Sequence, residues 1–224
     1  MDLKLTDVAR LLNLNTSAIH RYIRRKSIPA YRINHQYRFN RAEIVEWALN
    51  NRIPMNTALT ALTVGTIPVD IAELTRRGGV YHHVAGTTPR DVINAAVGMM
   101  TLPAGIDKEM IASQLIEREE IQPTAIGNGI ALPHPKSPVM TDAASERIAF
   151  FMLSAPVDFR AADRVPVHVL CVILSANQNR HLEMLSKTAH LCLDSTFAGL
   201  LKRASSPATI LEYIETASKK WKAA

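Results

Sequence analysis

The first fifty residues alternate between helical patterns of apolar positions and polar interruptions. Apolar residues recur at helical spacing up to residue 12, Asn13-Leu14-Asn15 interrupts them, and a second helix is predicted from Thr16 to Lys26. From Tyr31 to Phe39 the side chains alternate around a polar centre, which predicts a small hairpin. Asn40-Arg41-Ala42-Glu43 then has capping-box spacing, so a third helix is predicted to follow.

The next stretch, residues 53–69, contains no charged side chain, and threonine recurs in it at every third position. Pro54, Gly65 and Pro68 punctuate this stretch, which disfavours a continuous helix. We interpret residues 53–69 as a linker that lies either against a domain or against another subunit.

From residue 70 onward, helical patterns alternate with two runs of β-branched and aromatic residues. Both runs, Arg147–Leu153 and Val167–Ser175, are typical of central strands in a sheet. Thr88-Pro89-Arg90-Asp91 combines an N-cap, a proline at the first helical position and a capping acid, so a helix is predicted to begin there. Further helices are predicted for residues 71–77, 107–119, 178–193, 195–204 and 206–217. This alternation predicts an α/β domain over residues 70–222.

Two short helices with a tight turn, a hairpin and a third helix together predict a winged helix-turn-helix over residues 1–52. In that motif the second helix enters the major groove of DNA, and the hairpin reaches the adjacent backbone or minor groove. The alternative is that the second helix only presents a solvated basic face. The residues predicted to contact DNA are Ser17, His20, Arg21, Arg24 and Arg25 on the second helix, with Arg32, His35, Gln36 and Arg38 at the hairpin.

The net charge of +6 favours DNA binding because of where it lies. Residues 1–55 contain ten Lys or Arg and four Asp or Glu, whereas the remaining residues contain sixteen of each sign. A basic module joined to a neutral one indicates that only the first meets a polyanion. Because a single module makes few contacts, we expect a homodimer on paired half-sites.

The rest of the composition is that of an ordinary globular protein. No apolar run approaches the roughly 20 residues of a membrane-spanning helix, and the first residues lack the apolar core of a signal peptide. Cys171 and Cys192 have no spacing typical of a metal site or a disulfide framework, so we interpret both as small core residues. These features predict a cytoplasmic protein without membrane insertion.

His134 is the strongest candidate for chemistry. It lies between Pro133 and Pro135, which hold the backbone extended and project the imidazole rigidly. Gly127 and Gly129 permit close approach of the chain just upstream. An exposed, neutral ring nitrogen in this setting suits the acceptance of a phosphoryl group, which needs no metal. The alternative is an ordinary surface histidine in a proline-rich loop.

Two parts of the chain resemble known families. The runs Leu5-Thr6-Asp7-Val8-Ala9-Arg10-Leu11-Leu12, Ile28-Pro29-Ala30-Tyr31-Arg32 and Tyr37-Arg38-Phe39 resemble the excisionase and MerR-like DNA-binding domains. Residues 71–221 resemble the type 2 enzyme IIA domains of the bacterial phosphotransferase system, in particular their nitrogen-regulatory and fructose/mannitol branches. This second resemblance rests on Gly78-Gly79-Val80-Tyr81, Glu117-Arg118-Glu119, Pro123-Thr124-Ala125-Ile126-Gly127, Gly129-Ile130-Ala131-Leu132-Pro133-His134 and His181-Leu182.

The second resemblance implies a IIA-type sheet flanked by helices and assigns roles to particular residues. It implies that His134 accepts a phosphoryl group from an HPr-type phosphocarrier on the ring nitrogen remote from the backbone. Arg118 would neutralise the phosphoryl oxygens, although it could instead pair with Glu117. His181, near a helix N-terminus, would donate a hydrogen bond to the phosphoryl group or fix the His134 ring, or else it only begins a helix. Thr124 is a weaker candidate for a phosphate contact.

These features predict a regulator in which phosphorylation of His134 controls DNA binding, with a phosphocarrier and double-stranded DNA as partners and with no cofactor or metal. The chain is then a phosphoryl-transfer component rather than a free-standing metabolic enzyme. The added charge would change packing between the domains or block a surface for a regulatory partner. Two alternatives stay open, both with a non-essential DNA-binding module. One is a phosphocarrier for a sugar-transport partner, and the other is an interaction switch that binds a kinase or transporter.

Overall fold

A computed structural model describes residues 3–223, except residues 34, 52 and 54–68. The predicted linker therefore lies almost entirely outside the described residues. Among the helices of the described part, none combines the length and the hydropathy that a transmembrane span requires.

The N-terminal domain contains three helices and a small antiparallel sheet. Its strand order is β1-β3-β2, and the β2–β3 hairpin pairs Tyr31 with Arg38 across the two strands. Val8, Ile19, Phe39 and Ile44 are fully buried where the helices meet this sheet. The predicted helix-turn-helix with its hairpin is therefore present. Its elements are β1 (Leu3–Lys4), α1 (Leu5–Leu11), α2 (Thr16–Arg24), β2 (Tyr31–Ile33), β3 (Gln36–Phe39) and α3 (Arg41–Asn50).

The second domain is a mixed α/β layer structure, as the alternating patterns predict. Its helices begin at residues that sequence marks as caps: the Thr88 side chain accepts from the Asp91 backbone N–H, and Asp70 and Asp107 cap two further helices. The helices are α4 (Ile71–Gly78), α5 (Pro89–Met99), α6 (Lys108–Ile121), α7 (Gln178–Leu193), α8 (Ser195–Lys202) and α9 (Pro207–Ala223). The strands are β4 (Val80–Val84), β5 (Ala125–Gly127), β6 (Ile130–Ala131), β7 (Arg147–Val157) and β8 (Val167–Leu174).

The five strands form one sheet in the order β4-β7-β8-β6-β5. The two predicted strands, β7 and β8, lie at its centre and pair antiparallel, with Phe150 opposite Cys171. The pattern analysis did not predict β4, β5 or β6 as strands. Because β5 and β6 contain only three and two residues, they are too short to produce a detectable alternation.

The N-terminal domain packs on the second domain through α3, which lies against α7 and β5. One hydrophobic cluster includes buried side chains of both domains, among them Val45 from α3 with Ile126 and Leu182. The start of the second domain is also held in place, because Val69 bonds to the side chains of Glu183 and Lys187 through its backbone N–H and carbonyl. Residues on α3 consequently lie next to the segment that contains His134.

Candidate phosphoryl-acceptor site

His134 lies in an extended segment that continues from β6 along the edge of β8. The backbone N–H of Leu132 donates to the carbonyl of Thr124, at 3.0 Å. The backbone N–H of Ile173, in β8, donates to the carbonyl of Pro133, also at 3.0 Å. These two bonds hold the chain on both sides of Pro133, whose ring already restricts the backbone. The backbone of His134 is therefore rigid, as the flanking prolines predict.

The ring of His134 has a defined orientation because its Nδ1 lies 2.7 Å from the carbonyl oxygen of Leu132. A carbonyl can only accept, so Nδ1 carries the proton of this bond. In a neutral imidazole the other nitrogen, Nε2, then has a free lone pair. Nε2 is the ring nitrogen remote from the backbone, so the hydrogen bond prepares it as a nucleophile.

His181 presents its own Nε2 to the same space. It lies near the N-terminus of a helix, as predicted, in the first turn of α7, whose N-cap is Asn177. Its Nδ1 is 3.2 Å from the hydroxyl of Ser175, and its ring centroid is 5.2 Å from that of His134. Burial lowers the pKa of His181, and the nearby His134 and Arg118 add to this effect, although Glu46 opposes it. A neutral ring is thus favoured at this position.

A buried ion pair fixes the turn from which α7 starts. Glu146 is fully buried and accepts from the backbone N–H of Ala176 at 3.0 Å and from Arg180 Nε at 2.6 Å. Since Arg180 immediately precedes His181 on α7, this pair sets the direction from which the His181 ring enters the site.

Arg118 lies in the last turn of α6 and points to the same place. One guanidinium nitrogen, Nη1, donates to the carbonyl of Gln122 at 2.8 Å, which orients the planar group. The other, Nη2, donates to a carboxylate oxygen of Glu46 at 2.5 Å. Arg118 therefore forms its ion pair with Glu46 of the N-terminal domain, and Glu117 has no such pair with it among the described residues. We call the space between His134 Nε2, His181 Nε2 and the Arg118 guanidinium the histidine pocket.

Glu46 of α3 fills the histidine pocket, and the pattern analysis did not identify it. Its Oε2 binds Arg118, while its Oε1 lies 3.4 Å from His134 Nε2 and 3.9 Å from His181 Nε2. Burial by itself would raise the pKa of Glu46, but the two histidines and Arg118 outweigh it and hold that pKa well below its usual range. Glu46 is thus a carboxylate bound by cationic and hydrogen-bonding groups of another domain.

The sequence does contain an indication that Glu46 is a buried charge with a partner. It is the only charged residue in the run Ile44-Val45-Glu46-Trp47-Ala48-Leu49, where the neighbouring positions are apolar on every side of the helix. A helix that is apolar all round is buried on more than one face, so a charge within it needs a partner.

The Nε2 atom of His134 is buried, contrary to the exposed nitrogen that the sequence led us to expect. The residue is 3% exposed, and Nε2 has no hydrogen bond with the alignment that such a bond requires. Arg118 and His181 are also buried. The sequence could not show this because the cover comes from α3, more than 80 residues away along the chain.

Thr124 is buried next to the site, and its hydroxyl is already used. Thr124 Oγ1 donates to Glu119 Oε2 at 2.5 Å, and the Thr124 backbone N–H also donates to this carboxylate. Burial raises the pKa of Glu119, although the hydrogen bonds from Thr124 oppose that rise. The predicted contact between Thr124 and a phosphate therefore stays a prediction, and it requires the hydroxyl to leave Glu119.

Glu46, His134 and His181 also offer three potential metal-ligand atoms within 4.8 Å of one another. A zinc ion accepts such a set of nitrogen and oxygen donors. However, Arg118 bonds the same carboxylate, so a dication bound there would lie close to a fixed positive charge. The donor set consequently fits a group that an arginine stabilises better than it fits a cation.

The residues predicted to contact DNA lie on a different face of the N-terminal domain. Ser17, His20 and the arginines of α2 are exposed, as is Arg32 of the hairpin. Arg38 is half-buried and donates to Gln36 at 2.9 Å. Glu46 faces the second domain instead, on α3. The packing of α3 on α7 therefore leaves the predicted DNA-contacting face accessible.

Comparison with known proteins identifies both parts of the chain. Residues 74–217 match the profile of the family described as phosphoenolpyruvate-dependent sugar phosphotransferase system, EIIA 2. The chain belongs to this EIIA 2 family. Residues 3–52 match a helix-turn-helix domain, in agreement with the predicted N-terminal domain.

Curated relatives of this EIIA 2 protein include two nitrogen regulatory proteins. The one from Klebsiella oxytoca is 34% identical over 115 residues, which are 50% of this chain and 70% of the relative. The one from Pseudomonas aeruginosa is 40% identical over 85 residues, which are 37% of this chain and 53% of the relative. The chain therefore spans between about half and seven-tenths of the length of these relatives.

The fold agrees with that of a solved EIIA 2 relative. The crystal structure of nitrogen regulatory protein IIA-Ntr from Neisseria meningitidis superposes with a TM-score of 0.53 at 22% identity. The superposed region covers 60% of this chain and 92% of that protein. The similarity supports the IIA-type arrangement of sheet and helices in the second domain.

Proposed function

We propose that this protein is a phosphotransferase-system regulator that accepts a phosphoryl group on His134 from an HPr-type phosphocarrier and couples this event to DNA binding by its N-terminal domain. The observation that carries the proposal is the histidine pocket, in which two Nε2 atoms and one guanidinium converge on a single anion-sized space. This set of groups binds and stabilises a charged phosphoryl group without requiring a metal.

The chemical step is a transfer between two imidazoles. The lone pair of His134 Nε2 attacks the phosphorus of a donor phosphohistidine, and a nitrogen–phosphorus bond forms while the donor's nitrogen–phosphorus bond breaks. The donor imidazole keeps that electron pair and takes up a proton from solvent, so nothing is oxidised or reduced. Leu132 holds the attacking ring through Nδ1, which aligns Nε2 for in-line attack.

Arg118 and His181 have separate roles in this transfer. Arg118 neutralises the equatorial oxygens as negative charge passes between the two rings, and Gln122 keeps its guanidinium oriented. The neutral ring of His181, set by Ser175 at Nδ1, contacts the phosphoryl group through Nε2. In that role the Nε2 atom carries the proton, and the Ser175 hydroxyl donates to Nδ1.

DNA binding by the N-terminal domain is supported by the match to a helix-turn-helix domain and by the exposed basic side chains of α2. Arg21, Arg24 and Arg25 contact phosphates and base edges, and Arg32 and Arg38 reach the adjacent backbone. A homodimer on paired half-sites would provide the number of contacts that specific binding requires.

One experiment tests both halves of the proposal. The purified protein is incubated with radiolabelled phosphoenolpyruvate and the general phosphotransferases, and its binding to duplex DNA is measured before and after labelling. We expect label on the wild type, none on His134→Ala, and a change in DNA affinity only in the wild type. His190→Ala, an exposed histidine on α7, is the matched control and should be labelled like the wild type.

Two results would count against the proposal in different ways. Equal labelling of wild type and His134→Ala would remove His134 as the acceptor. Labelling that leaves DNA affinity unchanged would instead favour a phosphocarrier or an interaction switch.

A further inference from the structure

Glu46 occupies the place in the histidine pocket that the proposed function assigns to the phosphoryl group. Its two carboxylate oxygens lie next to Arg118, His134 and His181. His134 is the proposed acceptor of the phosphoryl group, and the other two groups are expected to bind its oxygens. A carboxylate and a phosphoryl group both spread negative charge over several oxygens, so the same cationic and donor groups satisfy either one. Both therefore compete for one site.

We infer that the N-terminal domain covers the acceptor histidine, and that binding of Glu46 in the histidine pocket and phosphorylation of His134 exclude one another. This inference rests on the proposed function and names the regulation of the same site. We call the arrangement with Glu46 in the pocket the closed form, and the arrangement with α3 detached from α7 the open form.

The closed form prevents phosphoryl transfer by covering the nucleophile. Nε2 of His134 is buried, with Glu46 Oε1 only 3.4 Å from it. In-line attack requires the phosphorus of the donor to approach within about 3–3.5 Å of Nε2 along the axis of its lone pair. The phosphocarrier can reach this position only after α3 has moved away, so transfer takes place from the open form.

Phosphorylation in turn prevents closure. A phosphorus atom bonded to Nε2 brings its oxygens into the space that the Glu46 carboxylate fills. Arg118 would then bind the phosphoryl oxygens, and Glu46 would be buried beside a second anion without its partner. An unpaired buried charge is strongly unfavourable, and like charges at short distance add repulsion. The phosphorylated protein therefore stays open.

The contact between the domains combines an apolar cluster with a buried charge. Val45 of α3 shares a hydrophobic cluster with Ile126 and Leu182, and Glu46 adds an ion pair with Arg118 that is largely buried. Because the two domains are parts of one chain, α3 keeps a high effective concentration near the pocket after it detaches, and this favours rebinding once the phosphoryl group has left.

Opening on phosphorylation changes the position of the DNA-binding helix α2 rather than its exposure. The α2 arginines are accessible in the closed form. Opening frees the whole N-terminal domain to turn relative to the IIA domain. Because two half-sites on DNA require a set distance and orientation between two α2 helices, a change in their placement alters binding without any change in the contact residues.

The test measures how fast the protein is phosphorylated by a purified, phosphorylated HPr-type carrier when closure is weakened. Glu46→Ala and Glu46→Gln remove the charge from the pocket. The matched control is Glu43→Gln, one turn earlier on α3, because Glu43 accepts a hydrogen bond from the Tyr31 hydroxyl and forms no ion pair with His134 among the described residues. If the open form is populated at about 10%, we expect about tenfold faster transfer in both Glu46 variants and an unchanged rate in the control.

Small-angle X-ray scattering of the full chain provides a second measurement that does not depend on the transfer rate. We expect a larger radius of gyration for phosphorylated wild type and for unphosphorylated Glu46→Lys, whose new charge faces Arg118. Reactions with and without a chelator exclude a contribution from a metal bound by Glu46 and the histidines. An unchanged far-UV circular dichroism spectrum of each Glu46 variant shows that its N-terminal domain is folded.

The possible outcomes separate the inference from the proposed function. Faster transfer to the Glu46 variants together with expansion on phosphorylation supports the inference. Labelling of wild type and Glu46→Ala at the same rate, or a compact phosphorylated form, overturns it and leaves His134 as an acceptor. A complete lack of label on wild type and on Glu46→Ala overturns the proposed function, and the mutual exclusion with it.

Discussion

The DNA-contacting face of the N-terminal domain and the histidine pocket place their charged side chains in different environments. On α2 the arginines are exposed and neighbours in sequence, so each one keeps its hydration and acts largely alone. In the histidine pocket Arg118, His134 and His181 are buried, come from three different elements and are held by further groups. The first surface is local in sequence, and the second depends on the whole fold.

One charged residue, Glu46, connects the two regions. It belongs to the domain with the exposed basic face, but its carboxylate lies in the buried pocket of the other domain. A surface ion pair contributes little, whereas a buried pair is costly to break because the partner left behind is uncompensated. Events in the pocket can therefore change the placement of the N-terminal domain, and by linkage DNA bound on the exposed face would in turn shift the pocket between its closed and open forms.

The largest expected effect is that of Arg118→Ala, which removes the cation from the buried pocket. We expect phosphoryl transfer to His134 to fall by about 10²–10³-fold, because charge that develops on the phosphoryl oxygens loses its main stabilising group. The measurement is the single-turnover rate of transfer from a phosphorylated carrier. Arg90→Ala is the control, since Arg90 is exposed and pairs across the surface with Glu120. Similar rates for both variants would contradict the proposed role of Arg118.

The next effect concerns the exposed face. Replacing Arg21, Arg24 and Arg25 together by alanine should weaken binding to duplex DNA by roughly tenfold to a hundredfold at physiological salt. The slope of log affinity against log salt concentration should also fall by about one for each phosphate contact that is lost. Thermal stability and the rate of phosphorylation should not change, because these side chains are exposed.

The control for this variant has the same change in charge at a distant site: Arg164, Lys202 and Arg203, all exposed on the IIA domain, replaced together by alanine. If both triple variants lost DNA affinity equally, general attraction by net charge rather than α2 would explain the binding.

The smallest expected effect is that of pH on closure. Burial lowers the pKa of His181 in the closed form, and the pKa of Glu46 is held well below its usual range by His134, His181 and Arg118. Both groups thus bind protons less readily when closed than when open. Closure is fully stabilised above their ordinary pKa values of about 6.5 and 4.3, and it weakens as pH falls through those values.

Scattering of the wild type measured between about pH 7.5 and pH 4.5 should therefore show a rising open fraction, because His181 binds a proton more readily when open. The contribution of Glu46 should appear only below about pH 4.5, near its ordinary pKa. A wild type that becomes more compact on acidification would contradict a closed form that favours a neutral His181.

Much of the fold could be predicted from local signals. Thr88, Pro89 and Asp91 mark the start of a helix because capping depends on residues only a few positions apart. The continuous apolar runs of β7 and β8 marked them as central strands. By contrast, β5 and β6 derive their existence from pairing with each other and with β8, so a pattern of two or three residues could not reveal them.

The candidate site, too, could be predicted only in part from the sequence. The sequence marked the proline-flanked His134 as the candidate acceptor, and the match to the EIIA 2 family agrees with the resemblance read from the segments around it. The direction in which Arg118 points was not visible, because its partner Glu46 is 72 residues away along the chain. Burial of Nε2 was not visible either, since the packing of one domain on another leaves no periodic trace in either domain.

The sequence by itself determined the kind of groups present: a basic helix-turn-helix, a rigidly held histidine, and an arginine and a second histidine near helix ends. Capping, proline geometry and hydrophobic periodicity act over a few residues, and this is why they can be read along the chain. Only the tertiary structure decided that the three pocket groups converge, and that Glu46 occupies the space between them. That outcome depends on the burial of charge between two domains, which is a property of distances in space.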